Sequence, residues 1–127
     1  MTKYGFQSHL TAEDLEDGRT RKLIDPLKFI GHDGWSITIP KGFKSDGASV
    51  PKLFHSIISR WGKHGTAAVL HDYLYKIGHL NKEQCDDLFL DAMLISGVWA
   101  GRALTMYYAV KWLGGWAWDE HRARDKK

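Results

Sequence analysis

Residues 66–96 read TAAVLHDYLYKIGHLNKEQCDDLFLDAMLIS, and the way this stretch divides decides the fold. Leu70, Tyr73, Leu74 and Ile77 recur at helical spacing and gather on one side of a helix running from about Thr66 to Ile77. Gly78 suits its stop, because glycine takes the left-handed backbone that ends a helix without steric cost. Asn81 followed three residues later by Gln84 is the pattern of a reciprocal N-terminal cap, so a new helix starts there. It carries to about Ser96, and Gly97 closes it. Upstream, Pro51 fits the first turn of another helix, with Leu53, Phe54, Ile57 and Ile58 at helical spacing until Trp61 and Gly62. Downstream, a last helix runs from about Ala100 towards Trp118, with Gly114 and Gly115 loosening its end.

The N-terminal third follows a different period. Residues 35–39, WSITI, alternate as a half-buried strand does, and His32-Asp33-Gly34 is a hairpin turn leading into them. Residues 22–30 read as a strand broken by Pro26, which confines it to an edge or a bend. Residues 1–20 are polar, turn at Asp17-Gly18, and read as an arm or an edge strand. The expected class is α+β: a small N-terminal antiparallel sheet followed by a bundle of about four helices.

The chain has 127 residues, the size of a single domain spanning 1–127. Its net charge of +3 owes much to residues 120–127, which read as a basic solvated tail, so no specific nucleic-acid binding is expected. With one cysteine, Cys85, no intrachain disulfide can form. Residues 1–10 lack the apolar core of a signal peptide, and no apolar run is long enough for a transmembrane segment. These features suit a cytoplasmic protein.

Helical spacing also sorts the polar residues. His71 and Tyr75 stand four apart on the flank of the apolar face, one above the other, and Asp72 lies next round. On the next helix Glu83, Asp87 and Asp91 form a solvated side, whereas Asp86 sits on the shoulder of the apolar stripe beside Phe89, Leu90 and Met93. A carboxylate there needs a partner, and His71 is the nearest attractive one. A histidine bonded to a carboxylate is how proteins fix the tautomer of a general base; the same pair also serves simply to satisfy two buried groups. Spacing leaves both open.

Residues 44–51, KSDGASVP, form the loop before the helices. Asp46-Gly47 tolerates left-handed conformations and Ser49 is a fair helix cap. Such a loop either caps the next helix or turns several oxygens, with the Asp72 carboxylate, towards one hard cation such as Ca²⁺. His32, His55 and His64 show no zinc-ligand spacing, and no Gly-x-Ser-x-Gly elbow is present.

Three motifs resemble those of the domain of unknown function 1353 family, a group of small, mostly phage-encoded proteins. They are Ser45-Asp46-Gly47-Ala48-Ser49-Val50-Pro51, His71-Asp72-Tyr73-Leu74-Tyr75 and Asp86-Asp87-Leu88-Phe89, in the family's order, within roughly residues 22–113. The second and third also resemble, more distantly, the helix pair of secreted phospholipase A₂, including its disulfide-free parvoviral form. That resemblance implies His71 as general base, Asp86 as its orienter, Tyr75 as a supporting donor, and Asp72 as a calcium ligand with the Asp46-Gly47 loop. The glycine-rich calcium loop of that class is represented here only by Asp46-Gly47.

Together these point to a phage-encoded, calcium-dependent hydrolase-like protein acting on a phospholipid or another ester, in the host cytoplasm or the virion. The rival expectation is a non-catalytic virion or host-interaction protein in which the His–Asp cluster is structural; exposed indoles among Trp112, Trp116 and Trp118 would favour it. A metal phosphohydrolase of the His-Asp type is a weaker third, since it needs a second histidine near Asp72.

Overall fold

The computed structural model describes residues 4–17, 20–45 and 63–125. Two three-stranded antiparallel sheets precede four helices among these residues, so the class is α+β as expected, with two sheets where one was read. Strands β1 (Gly5–Phe6), β4 (Leu27–Ile30) and β5 (Ser36–Ile39) form the first sheet in the order β1-β4-β5. Strands β2 (Ala12–Asp14), β3 (Arg21–Leu23) and β6 (Lys44–Ser45) form the second, in the order β2-β3-β6.

The period of two explains which side chains turn inward. Leu27 and Phe29 are buried on β4 while Lys28 is exposed, and Ile39 lies opposite Leu27 in the register. Gly34, with φ +86°, makes the tight turn of the β4–β5 hairpin. Of the two expectations for Pro26, the bend holds and the edge does not. It stands in the link between β3 and β4, the central strands of the two sheets, where no ladder needs its missing N–H. The segment read as arm or edge strand supplies β1 and β2, each at the edge of a different sheet.

Helix α1 (Lys63–Ile77) starts earlier than its apolar period suggests and ends at Gly78, whose φ is +64°. Helix α2 (Lys82–Ile95) begins with the expected cap: the Asn81 side chain accepts from the Gln84 N–H at 2.8 Å, and the Gln84 side chain accepts from the Asn81 N–H at 3.0 Å. The long last helix divides into α3 (Ala100–Leu113) and α4 (Gly115–Asp125). The division falls at Gly114, within the Gly114-Gly115 pair where loosening was expected. A Cβ there would lie 2.5 Å from the Val110 carbonyl oxygen and 3.3 Å from the Tyr75 hydroxyl. The helix expected over residues 51–61 lies outside the described residues.

α1 packs against α2, α4 and β6, and α2 packs in turn against α3 and β1. Leu70, Leu74, Phe89, Met93, Met106 and Val110 join Phe29 and Ile39 in one apolar cluster. The segment read as a solvated basic tail is helical through Asp125 and anchored. Arg122 donates from Nη2 to the carbonyl oxygens of Tyr75 at 2.7 Å and Lys76 at 3.2 Å, satisfying the last turn of α1, and its guanidinium lies 4.4 Å from the Trp118 ring.

Arg122 also occupies the space above Gly78, where a Cβ would meet its guanidinium at 2.6 Å. Gly78→Ala therefore combines a strained backbone with displacement of a cap. Denaturant unfolding should show a loss of about 1–2 kcal/mol; an unchanged midpoint would mean that this junction contributes nothing.

Candidate functional site

His71, Tyr75 and Asp86 converge where α1 packs on α2. The His71 Nε2 lies 2.7 Å from Asp86 Oδ1, and the Tyr75 hydroxyl donates to the same oxygen at 2.6 Å. The other oxygen, Oδ2, accepts from Lys82 Nζ at 2.7 Å. His71 and Tyr75 have no solvent exposure and Asp86 keeps 2%. The imidazole is held between rings, with centroids 4.2 Å from Tyr75 and 4.7 Å from Phe89.

Two elements make this possible. The four-residue spacing of α1 stacks Tyr75 over His71, and the same spacing on α2 carries Lys82 up to Asp86. Lys82 was not among the residues singled out from the sequence, although its i,i+4 relation to Asp86 was visible there. Its ammonium also donates to the Val110 carbonyl at 2.9 Å and the Lys111 carbonyl at 3.1 Å, so one cation joins Asp86 to the end of α3.

Burial alone would raise the Asp86 pKa. The hydrogen bond and charge of His71, with the bonds from Lys82 and Tyr75, outweigh it and hold the carboxyl below its ordinary range. Asp86 is thus an anion, and an anion at Oδ1 calls for N–H on Nε2 of His71 and O–H on Tyr75. Burial, reinforced by the bond to Asp86, pushes the Tyr75 phenol upward, so it stays a donor. Burial and then the Asp86 charge push the neighbouring Cys85 thiol up to about 12. It is a packed thiol rather than a nucleophile.

Asp72 faces the other way. It is buried, and its Oδ2 accepts from the Ser45 hydroxyl at 2.5 Å, which ties α1 to β6. Ser45 directly precedes Asp46 in the chain. Asp46 and Gly47, expected to share a cation with Asp72, lie outside the described residues. Among the described residues no group of three or more His, Cys, Asp or Glu side chains is arranged to hold a metal.

Asp87 is exposed and Asp91 partly exposed, as a solvated side implies, and each also makes a bond to another element. Asp91 is bonded to His32 Nδ1 at 2.7 Å, which pins the β4–β5 hairpin to α2, and Asp87 accepts from the Tyr107 hydroxyl at 2.8 Å. Neither pairing has a local sequence signal, since the partners lie 59 and 20 residues apart. No helix among the described residues is long and apolar enough to cross a membrane.

The chain is 32% identical over 95 residues to the uncharacterized protein y4jT of Sinorhizobium fredii (strain NBRC 101917 / NGR234). That alignment takes in 73% of this chain and 28% of the relative, so the chain spans under a third of that protein's length. No solved structure matches it. The family model described as "Protein of unknown function (DUF1353)" matches residues 21–110, a span that includes His71, Asp72, Tyr75, Lys82 and Asp86. The chain belongs to the DUF1353 family.

Proposed function

We propose that the chain is an ester hydrolase of the phospholipase A₂ type, phage-derived, with His71 as general base and Asp86 as the group that orients it. The observation that carries this reading is the shared Asp86 oxygen, 2.7 Å from His71 Nε2 and 2.6 Å from the Tyr75 hydroxyl, with Lys82 on the second oxygen. With Nε2 committed to a carboxylate, this reading assigns proton transfer to Nδ1, and because His71 has no solvent exposure, water reaches it only when the packing around α1 opens. Nδ1 takes a proton from a water as that water attacks the ester carbonyl carbon, and returns it to the departing alkoxide. Asp86 stabilises the imidazolium between the two steps, while Tyr75 and Lys82 position Asp86.

Asp72 and the Ser45 hydroxyl supply oxygens of the kind a hard cation accepts, and Asp46 and Gly47 would complete the set. Bound there, Ca²⁺ would offset charge developing on the ester oxygen.

A second reading has its own observation. Trp99, Trp112 and Trp116 are 77%, 72% and 71% exposed, whereas Trp118 packs edge-on against Tyr75 at 5.2 Å. Exposed indoles of that number suit a surface that meets another macromolecule, such as a virion or host component, and the full burial of His71 suits a structural network.

The two separate in one experiment. Purified protein is incubated with phospholipid vesicles in Ca²⁺ or in chelator, and released fatty acid is measured. The hydrolytic reading expects release in Ca²⁺ that chelation removes. Equal background signals for wild type and His71→Gln would leave the structural network as the function of these residues.

A further inference from the structure

We propose that the depression between α4, the last turn of α1 and the β6 edge is a binding site for a phosphate-type oxyanion. The cavity has a volume of about 450 Å³ and is lined by Thr20, Lys44, Lys76, His121, Arg124 and Asp125. These come from separate stretches of chain, so folding brings three cations into one concavity. Lys44, Lys76 and Arg124 are exposed around it, and like charges gathered at one concavity raise the local positive potential, which an anion relieves.

The counter-charges already present leave that potential standing. Asp125 is the one carboxylate on the lining, and it accepts from Arg122 Nε at 2.9 Å. Arg124 donates to Glu120 through one nitrogen, leaving the rest of its fork. Neither Lys44 nor Lys76 has a described carboxylate against it, and the Lys76 ammonium is placed over the Phe43 ring at 5.5 Å. His121 is half-buried, and burial, then Arg124 and Arg122, hold its pKa below the ordinary value; Asp72 and Glu120 act in the opposite direction. A neutral imidazole here offers one N–H to a bound oxygen.

Two ammonium groups, a guanidinium and an imidazole suit a tetrahedral dianion with several acceptor oxygens better than a planar carboxylate. The volume admits a phosphate carrying a substituent, whether a soluble phosphate ester or a lipid headgroup. The site does not rest on the hydrolytic reading. Its place beside that site is nonetheless informative, since Lys76 lies one helical turn beyond Asp72 and Lys44 adjoins Ser45.

The test compares inorganic phosphate, glycerol 3-phosphate and chloride at matched ionic strength, by calorimetric titration and thermal melting of the whole chain. Flotation with phosphatidylglycerol vesicles runs alongside. Wild type should bind at least one of the two phosphates or the vesicles, with a raised melting temperature for a soluble ligand. The double variant Lys44→Gln, Lys76→Gln should lose about ten-fold or more in affinity and, without ligand, melt no lower than wild type. Lys28→Gln, an exposed change on β4, should bind as wild type does. Binding to soluble phosphates alone identifies a soluble ester as the ligand class, and binding to vesicles alone identifies a headgroup. Phosphate behaving as chloride does with no flotation, or a double variant that binds like wild type, overturns the site. His71→Gln carried through the same series should keep its binding, so failure of hydrolysis and failure of this site are read separately.

Discussion

Asp86→Ala should be the most destabilising single substitution in the described structure, at about 3–5 kcal/mol. The loss comes from what the alanine leaves behind. His71 Nε2, the Tyr75 hydroxyl and the Lys82 ammonium all point at the two Asp86 oxygens, and the first two have no access to water. Small domains are stable by only about 5–15 kcal/mol, so the variant should be close to the limit of folding. With a urea slope of about 1–3 kcal/mol per molar, the midpoint should fall by roughly 2 M. Asp86→Asn keeps the shape and one acceptor oxygen, and should lose less. A midpoint for Asp86→Ala within about 0.5 kcal/mol of wild type would show the network to be dispensable.

The same carboxylate sets an acid dependence. Its folded-state pKa is depressed, so its contribution is complete above the unfolded carboxylate value of about 3.9 and is lost as pH falls through the folded value. The stability gap between wild type and Asp86→Asn should therefore narrow below that range and stay level above it.

His71→Gln is the second large effect, and it should appear in rate rather than in folding. A glutamine amide reaches towards Asp86 as an N–H donor, as the imidazole Nε2 does, so the carboxylate keeps a partner. What disappears is the basic nitrogen. If the protein hydrolyses esters by the route proposed above, the rate should drop by about 10²–10⁴-fold. The melting temperature should move little by comparison. Hydrolysis within two-fold of wild type, at a preserved melting temperature, would remove His71 from the chemistry.

The parts of this structure that were readable in the sequence are those governed by local rules. Gly78 and the Asn81–Gln84 box each act within one helical turn, so the ends of α1 and α2 around them fell where the residues indicated. The meeting of His71 with Asp86 was readable for a related reason, because a carboxylate on the edge of an apolar stripe must be answered from the facing helix. The division of the strands into two sheets was not, since strands of two to four residues carry too short an alternation to show which partner they choose. The Gly114-Gly115 pair marked where the last helix loosens, whereas the anchoring of Arg122 depends on the carbonyls at the end of α1 and is a tertiary fact. Lys82 stands between the cases: its pairing with Asp86 is local, while its bonds to the end of α3 are not.

The distribution of the indoles decides which optical signal reports on this fold. Three of them already stand in water at the surface, so their emission will be long-wavelength and easily quenched in the native state and will shift little on unfolding. Trp118, held edge-on to Tyr75 and beneath Arg122, sits in a fixed asymmetric setting that vanishes when α4 leaves α1. Near-ultraviolet dichroism, rather than the fluorescence maximum, is therefore the sensitive measure of α4 docking.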